Sequence, residues 1–196
     1  MVIKAFYKDV LHISDQTLLE HFVNHTKHLH LKKGDLLIRE GEMQENFIFL
    51  LHGILRGFFL DTNGRDITDC FGFKCGTPAM SCYIDKELSP ISIEALTECD
   101  VIVISSTALQ NLMQANPQIL WIYNSLLRKA LKDHWTTKTM LCQHTAMERY
   151  QWFLQEYPGL IDKISNKYIA SFLGMTPVTL SRLRGVLRAQ AENVCP

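Results

Sequence analysis

The chain contains no apolar run long enough to span a membrane, and its opening segment, MVIKAFYKDVLHISD, lacks the apolar core of a secretory signal. Both absences point to a cytoplasmic chain. No GxSxG elbow, Walker loop, HExxH pair or glycine-rich nucleotide fingerprint occurs, so the arrangements that activate a nucleophile, cradle a phosphate or hold a catalytic zinc are missing. Glu94 and Asp100 read as strand-edge residues rather than an acid/base pair, and no enzymatic activity is expected. Net charge is lacking too: 20 basic residues face 20 acidic ones, which leaves the molecule as a whole without an electrostatic pull on nucleic acid. The six cysteines (Cys70, Cys75, Cys82, Cys99, Cys142, Cys195) have neither CxxC spacing nor a compact secreted pattern. Reduced, mostly buried thiols are the expectation.

What is present is ordinary in amount and informative in order. A chain of 196 residues with 47% hydrophobic and 20% charged residues can build one large core or two small ones. Residues 14–28 read as a helix with Ser14 as N-cap and an apolar stripe of Leu18, Leu19, Phe22 and Val23. From Leu29 to Ser105 the pattern changes to short apolar runs between turn residues: LLI, NFIFLL, ILRGFFL, ISIEAL and DVIVIS. Asn63-Gly64 predicts a hairpin, since both residues tolerate positive φ. Many short strands with frequent turns indicate a sandwich or barrel. After Ser106 the period is helical, with a short stripe of Leu109, Leu112 and Met113. A long helix is predicted from about Gln118 to Gln143, and Leu120, Tyr123, Leu127, Ala130 or Leu131, and His134 recur along it at three- and four-residue steps, with Leu141 two steps further on. That spacing suits a seam against a partner helix, or one face packed on the barrel. A further helix, Ala146 to Glu156, stops at Tyr157-Pro158-Gly159.

Between Lys163 and Gln190 the ionised side chains are Lys163, Lys167, Arg182, Arg184 and Arg188, with no acid among them. Here Ser165 can cap a short helix buried through Ile169, Phe172 and Leu173, with Ala170 small enough for a close crossing. Gly174 suits a left-handed turn, and Met175 can fill the core beneath it. Thr176 then caps a second helix with Pro177 at its first position and Leu180, Leu183 and Leu187 inward. Helix, glycine turn and capped helix form a helix-turn-helix signature. The second helix would enter the major groove with Val178, Thr179, Ser181 and Arg182 outward. Arg182 is the leading base contact, since a guanidinium matches guanine's two groove-edge acceptors. Val178, or the methyl of Thr179, would meet a thymine methyl. Ser165, Asn166 and Lys167 suit phosphates at a helix N-terminus. Arg184 falls near the inward face and would snorkel toward the DNA backbone, and Arg188 adds a further cation.

Three barrel segments, LKKGDLLIREGE, FIFLLHGILRGFFLDTNGRDI and SIEALTECDVIVIS, together with NPQILWIYNSLLRKAL and AMERYQWFLQEYPGLIDKISNKYIASFLGMTPVTLSRLR, resemble the Crp/Fnr family of transcription regulators nearly end to end. The resemblance implies an α+β protein: an N-terminal antiparallel jelly-roll barrel of cyclic-nucleotide-binding type, a long dimerisation helix and a C-terminal helix-turn-helix. The corresponding domains are an effector-sensing barrel with flanking helices at 1–117, the dimerisation helix and hinge at 118–144, and the DNA-binding domain at 145–196. It further implies a homodimer on double-stranded, pseudo-palindromic DNA, RNA polymerase as a candidate partner, and an unnamed small-molecule effector that shifts the dimer helix. The pocket for that effector would involve Cys75, Ser81, Cys82, Ser89 and Ser92.

Two departures stand out. Where members that bind cyclic AMP carry an arginine-serine pair, this chain has Ser89-Pro90, and no glutamate of the phosphate loop matches near Ala79; weak or absent cyclic AMP binding is expected. Only AENVCP follows Gln190, so an absent or vestigial C-terminal hairpin wing is also expected. No cofactor is implied. His21, His25 and His28 fall at i, i+4 and i+7 of the first predicted helix with His30 nearby, and are read as a solvated polar face rather than a metal or haem site. Cys70, Cys75 and Cys82 are read as structural thiols. The alternative to a DNA-binding regulator is a redox, metal or haem sensor with weak or lost DNA binding.

Overall fold

The computed structural model describes residues 2–79 and 88–192. The chain opens with α1 (Val2–Ala5), a π-helical turn (Phe6–Val10) and α2 (Gln16–His25). Seven strands follow among the described residues: β1 (Thr26–Leu31), β2 (Leu36–Ile38), β3 (Asn46–His52), β4 (Leu55–Leu60), β5 (Asp66–Gly72), β6 (Ser92–Ala95) and β7 (Cys99–Ser105). The remainder is helical: α3 (Ser106–Ala115), α4 (Pro117–Gln143), α5 (Ala146–Glu156), one tight turn (Leu160–Asp162), α6 (Asn166–Phe172) and α7 (Pro177–Glu192). The strands form two sheets, ordered β1-β7-β3 and β2-β6-β4-β5. This is the α+β architecture with an antiparallel β domain that the resemblance implies.

The first predicted helix needs correction at both ends. Asp15, not Ser14, caps α2 by accepting the Leu18 N–H at 2.9 Å. The helix ends at His25 because Thr26–Leu31 pairs residue for residue with β7, from Thr26 opposite Ile104 to Leu31 opposite Cys99. Strand pairing wins over the helical spacing, and it divides the histidines. His21 and His25 stay one turn apart with their Nδ1 atoms 3.1 Å from each other. His28 and His30 sit on β1, each 3.2 Å from Asp100 Oδ1. A single histidine face therefore does not exist. Among the described residues no group of three or more His, Cys, Asp or Glu is arranged to hold a metal ion.

The predicted hairpin forms between β4 and β5, but only Gly64 is left-handed, at φ 74°. Asn63 keeps negative φ because Asp61 shapes the turn instead: its carboxylate accepts the N–H of Asn63 at 2.8 Å and of Arg65 at 2.9 Å.

The chain resolves into two compact units, 1–59 with 69–129, and 60–68 with 130–196. In the first, one apolar cluster lies between the sheets and includes Ile48, Leu50, Leu55, Ile93, Ala95 and Val101. A second cluster joins the other face of β1-β7-β3 to the helices through Phe47, Phe49, Ile102 and Ile104 against Tyr7, Phe22, Leu109 and Ile119. Strand alternation explains the division, since odd and even positions of β3 and β7 serve opposite faces. A small apolar cavity lies within the helix-facing cluster, bounded by Tyr7, Phe22, Phe49, Ile104 and Ile122. In the second unit α5, α6 and α7 enclose Tyr150, Phe153, Leu160, Ile169, Phe172, Leu173 and Leu180, all buried. Residues 60–68 join this unit through Ser171, whose hydroxyl accepts the Thr68 N–H at 2.9 Å and donates to the Asp66 carbonyl at 3.2 Å.

Candidate nucleic-acid interface

The turn between α6 and α7 follows from a few residues. Ser165 caps α6, its hydroxyl accepting the Lys167 N–H at 3.4 Å. At the other end the Met175 N–H reaches back to the Ala170 carbonyl at 2.9 Å, while Gly174 adopts φ 62°. This is the Schellman closure that glycine permits without a Cβ penalty. An added Cβ at Gly174 would also sit 3.2 Å from Arg149 Nη1. Ala170 is fully buried, as a close helix crossing requires, whereas Met175 is only half-buried beneath the turn.

Thr176 caps α7: its hydroxyl oxygen accepts the Thr179 N–H at 3.1 Å and lies 2.9 Å from the Thr179 hydroxyl. Pro177 is the first helical residue, where its missing N–H is not needed. Leu180 is fully buried, with Leu183 and Leu187 half-buried on the same side. Anchoring that side fixes what faces out: Val178, Ser181, Arg182, Gly185 and Val186 are exposed, as is Arg188. Thr179 is half-buried with its hydroxyl held at the cap.

Ser165, Asn166 and Lys167 are exposed together at the start of α6. Arg184 does not reach outward. Its Nη1 donates to Asn166 Oδ1 at 3.0 Å and ties the start of α6 to the middle of α7. Arg184 and Arg188 also lie close enough to Tyr150 to draw its hydroxyl pKa down, although burial of the ring dominates and leaves it raised. Lys167 Nζ rests 4.5 Å over the Tyr168 ring. An exposed guanidinium on a well-anchored helix, beside a helix start carrying an amide and an ammonium, is chemically equipped to bind polyanions and to read acceptor pairs.

Along α4, Leu120, Leu131 and His134 are exposed, while Tyr123, Leu127 and Leu141 are half-buried. The Tyr123 ring meets Phe47 edge-on at 5.9 Å and so serves this chain's own core. Trp121 and Trp135, which the seam reading omitted, are 65% and 55% exposed.

The expected effector positions lie in the first unit. Ser89 is buried and donates its hydroxyl to the Ile91 carbonyl at 2.5 Å, and the Ser92 hydroxyl accepts the Glu40 N–H at 3.0 Å. Cys75 is exposed. Ser81 and Cys82 lie outside the described residues, as does the tail after Glu192. Cys70 retains accessible surface, yet crowding around its sulfur, with the Asp69 carboxylate beside it, pushes the thiol up to about 12. A thiol held that firmly protonated is a poor nucleophile and metal ligand at neutral pH.

The sequence reading missed Arg56, which is 1% exposed at the second position of β4. Its Nε lies 2.8 Å from Glu94 Oε1, and its guanidinium covers the Phe58 ring at 4.3 Å. The available signal was a lone arginine inside the apolar run ILRGFFL, directly opposite Glu94 in the β4–β6 register.

Comparison with known proteins places this geometry among relatives. The profile of the cyclic nucleotide-binding domain matches residues 28–116. The transcriptional activator protein FnrA of Stutzerimonas stutzeri is 24% identical, with 94% of this chain and 81% of the relative covered. FixK2 of Bradyrhizobium japonicum shares the fold with a TM-score of 0.77 at 20% identity, over 85% of this chain and 86% of that one. The c-di-GMP responsive global regulator CLP of Xanthomonas campestris has a TM-score of 0.73 at 18% identity, over 90% and 93% of the two chains.

Proposed function

We propose that the chain is a Crp/Fnr-type transcription regulator, a reading supported by the match of its β domain to the cyclic nucleotide-binding domain and by its similarity to the activators FnrA and Anr, and that it binds double-stranded DNA as a homodimer under the control of a small-molecule effector. The observation that carries the reading is α7 itself. Buried Leu180 and the Thr176 cap hold it firmly, while Arg182 stands exposed one turn in. Arg182 is the base reader. Ser165, Asn166, Lys167 and Arg188 meet phosphates, and Arg184 acts through Asn166 by holding it in place. Two copies pair along α4 through Leu120, Leu127 and Leu131, with Trp135 extending the seam. Pairing sets the two recognition helices about one turn of DNA apart, on a pseudo-palindromic operator.

The effector is received by the β domain near Cys75, Ser89 and Ser92, and it is not cyclic AMP. The place of a phosphate-binding arginine is held by Ser89, whose hydroxyl is already bonded to Ile91. An anionic diester there lacks its charge-assisted partner.

Fluorescence anisotropy on fragments selected from a promoter library tests the reading. Wild-type protein is expected to select a common sequence, and Arg182→Ala to lose about 1–3 kcal/mol on it, roughly tenfold or more, with weak non-specific binding retained. An unchanged affinity of the variant for the selected sequence, with its preference over scrambled sequence intact, would remove Arg182 from the groove.

A further inference from the structure

Resting on the DNA-reading assignment above, we infer that Val178 is a specificity residue, which packs against the 5-methyl group of a thymine within about two base pairs of the guanine read by Arg182. Val178 is 60% exposed in the first turn of α7, and Val186 continues the same stripe at 45% exposed. Val178, Arg182 and Val186 recur at four-residue steps, so the outward face of α7 presents apolar, cationic and apolar groups in a line. A β-branched side chain gains nothing from an exposed helical position, because its χ1 freedom is lost there without compensating burial. It gains only if something apolar covers it.

The occupant follows from the surrounding chemistry. From Lys163 to Gln190 the ionised groups are all cations, which favours a polyanion over an apolar protein surface. On a duplex, the apolar group displayed in the major groove is the thymine methyl. The structure also separates the two first-turn candidates. Thr179 is half-buried and its hydroxyl is held by Thr176 at 2.9 Å, whereas Val178 is free of local hydrogen bonding and faces out. Spacing sets the register. One helical turn between Val178 and Arg182 rises roughly 6 Å, about two base-pair steps of ~3.4 Å.

The test uses the full chain and an operator selected from random duplexes. Thymines near the selected guanine are replaced one at a time by deoxyuridine, which keeps the base pair and removes only the methyl. At one position in each half-site, wild-type affinity is expected to fall about fourfold, the worth of one buried methyl. Val178→Ala is expected to bind the thymine and deoxyuridine duplexes equally while still requiring the guanine. Its exposed position keeps the substitution out of the core, and circular dichroism of the variant checks that the fold is retained. Equal wild-type affinity for every thymine and deoxyuridine pair overturns the inference and leaves DNA reading standing. So does a thymine preference that survives in Val178→Ala. Failure to select any sequence overturns the DNA-reading assignment itself.

Discussion

Arg56 and Glu94 show how one pair can constrain a whole sheet. Both lie between core-facing neighbours, Leu55 and Gly57 on β4 and Ile93 and Ala95 on β6, so alternation turns them to the opposite face. The guanidinium is almost fully enclosed, and the carboxylate 2.8 Å away balances its charge. Replacing Glu94 by alanine removes this carboxylate from a buried cation and is expected to destabilise the fold by at least about 1 kcal/mol. Urea denaturation followed by tryptophan fluorescence measures the loss. A cost near zero would show that the pair holds nothing in place.

Tyr7 offers a second test at the same scale. Its hydroxyl lies 2.8 Å from Thr26 Oγ1, and burial raises its pKa from the ordinary 10.0 to about 12. The neutral form is favoured in the folded state, so the resulting stability is fully present below about pH 10 and is lost as pH rises through about 12. A shift of two pKa units corresponds to roughly 2–3 kcal/mol. Tyr7→Phe is expected to abolish the part of the alkaline destabilisation that belongs to this window. Parallel denaturation curves at pH 9 and pH 11 for the two proteins would reveal it.

At the level of elements, α4 carries the clearest imbalance. Its first half packs on the three-stranded sheet through Ile119 and Tyr123, yet Leu120, Leu131 and Trp135 are 45%, 54% and 55% exposed. A lysine at position 131 adds a charge to that stripe without touching this chain's own core. Leu131→Lys is expected to shift the protein toward monomer in sedimentation equilibrium and to lower operator affinity at least tenfold, because each half-site then binds alone. An unchanged dimer would move the pairing surface elsewhere. Within the second unit Ser171 matters for a different reason: its hydroxyl is the partner of the buried residue Thr68's N–H, so the strand segment at 66–68 and α6 are stitched by one side chain.

The whole molecule is neutral, so the proposed attraction to DNA rests on local charge rather than total charge. Binding is expected to weaken linearly in log–log plots against salt, with a slope near −0.9 for each phosphate neutralised. Under the proposed assignment, Lys167→Ala removes one phosphate contact per subunit. In a dimer it should flatten that slope by about two while leaving the preferred sequence unchanged. A variant that alters sequence preference instead would place Lys167 among the base readers.

The sequence by itself determined the features that local chemistry controls. The caps at Ser165 and Thr176, the left-handed Gly174 and the inward Leu180 follow from residue type and spacing, and the helix-turn-helix was legible from them. The strand segments were legible too, because two-residue alternation and turn residues are local signals. Tertiary structure decided where local signals compete or are silent. Pairing with β7 ended α2 at His25 and split the histidines. Arg184 was drawn to Asn166, a partner 18 residues away, rather than toward the DNA backbone. Arg56 has no carboxylate within its own run, ILRGFFL, and only the pairing of β4 with β6 brings Glu94 beside it. In each case the deciding partner is distant in sequence, and no window along the chain contains both members of the pair.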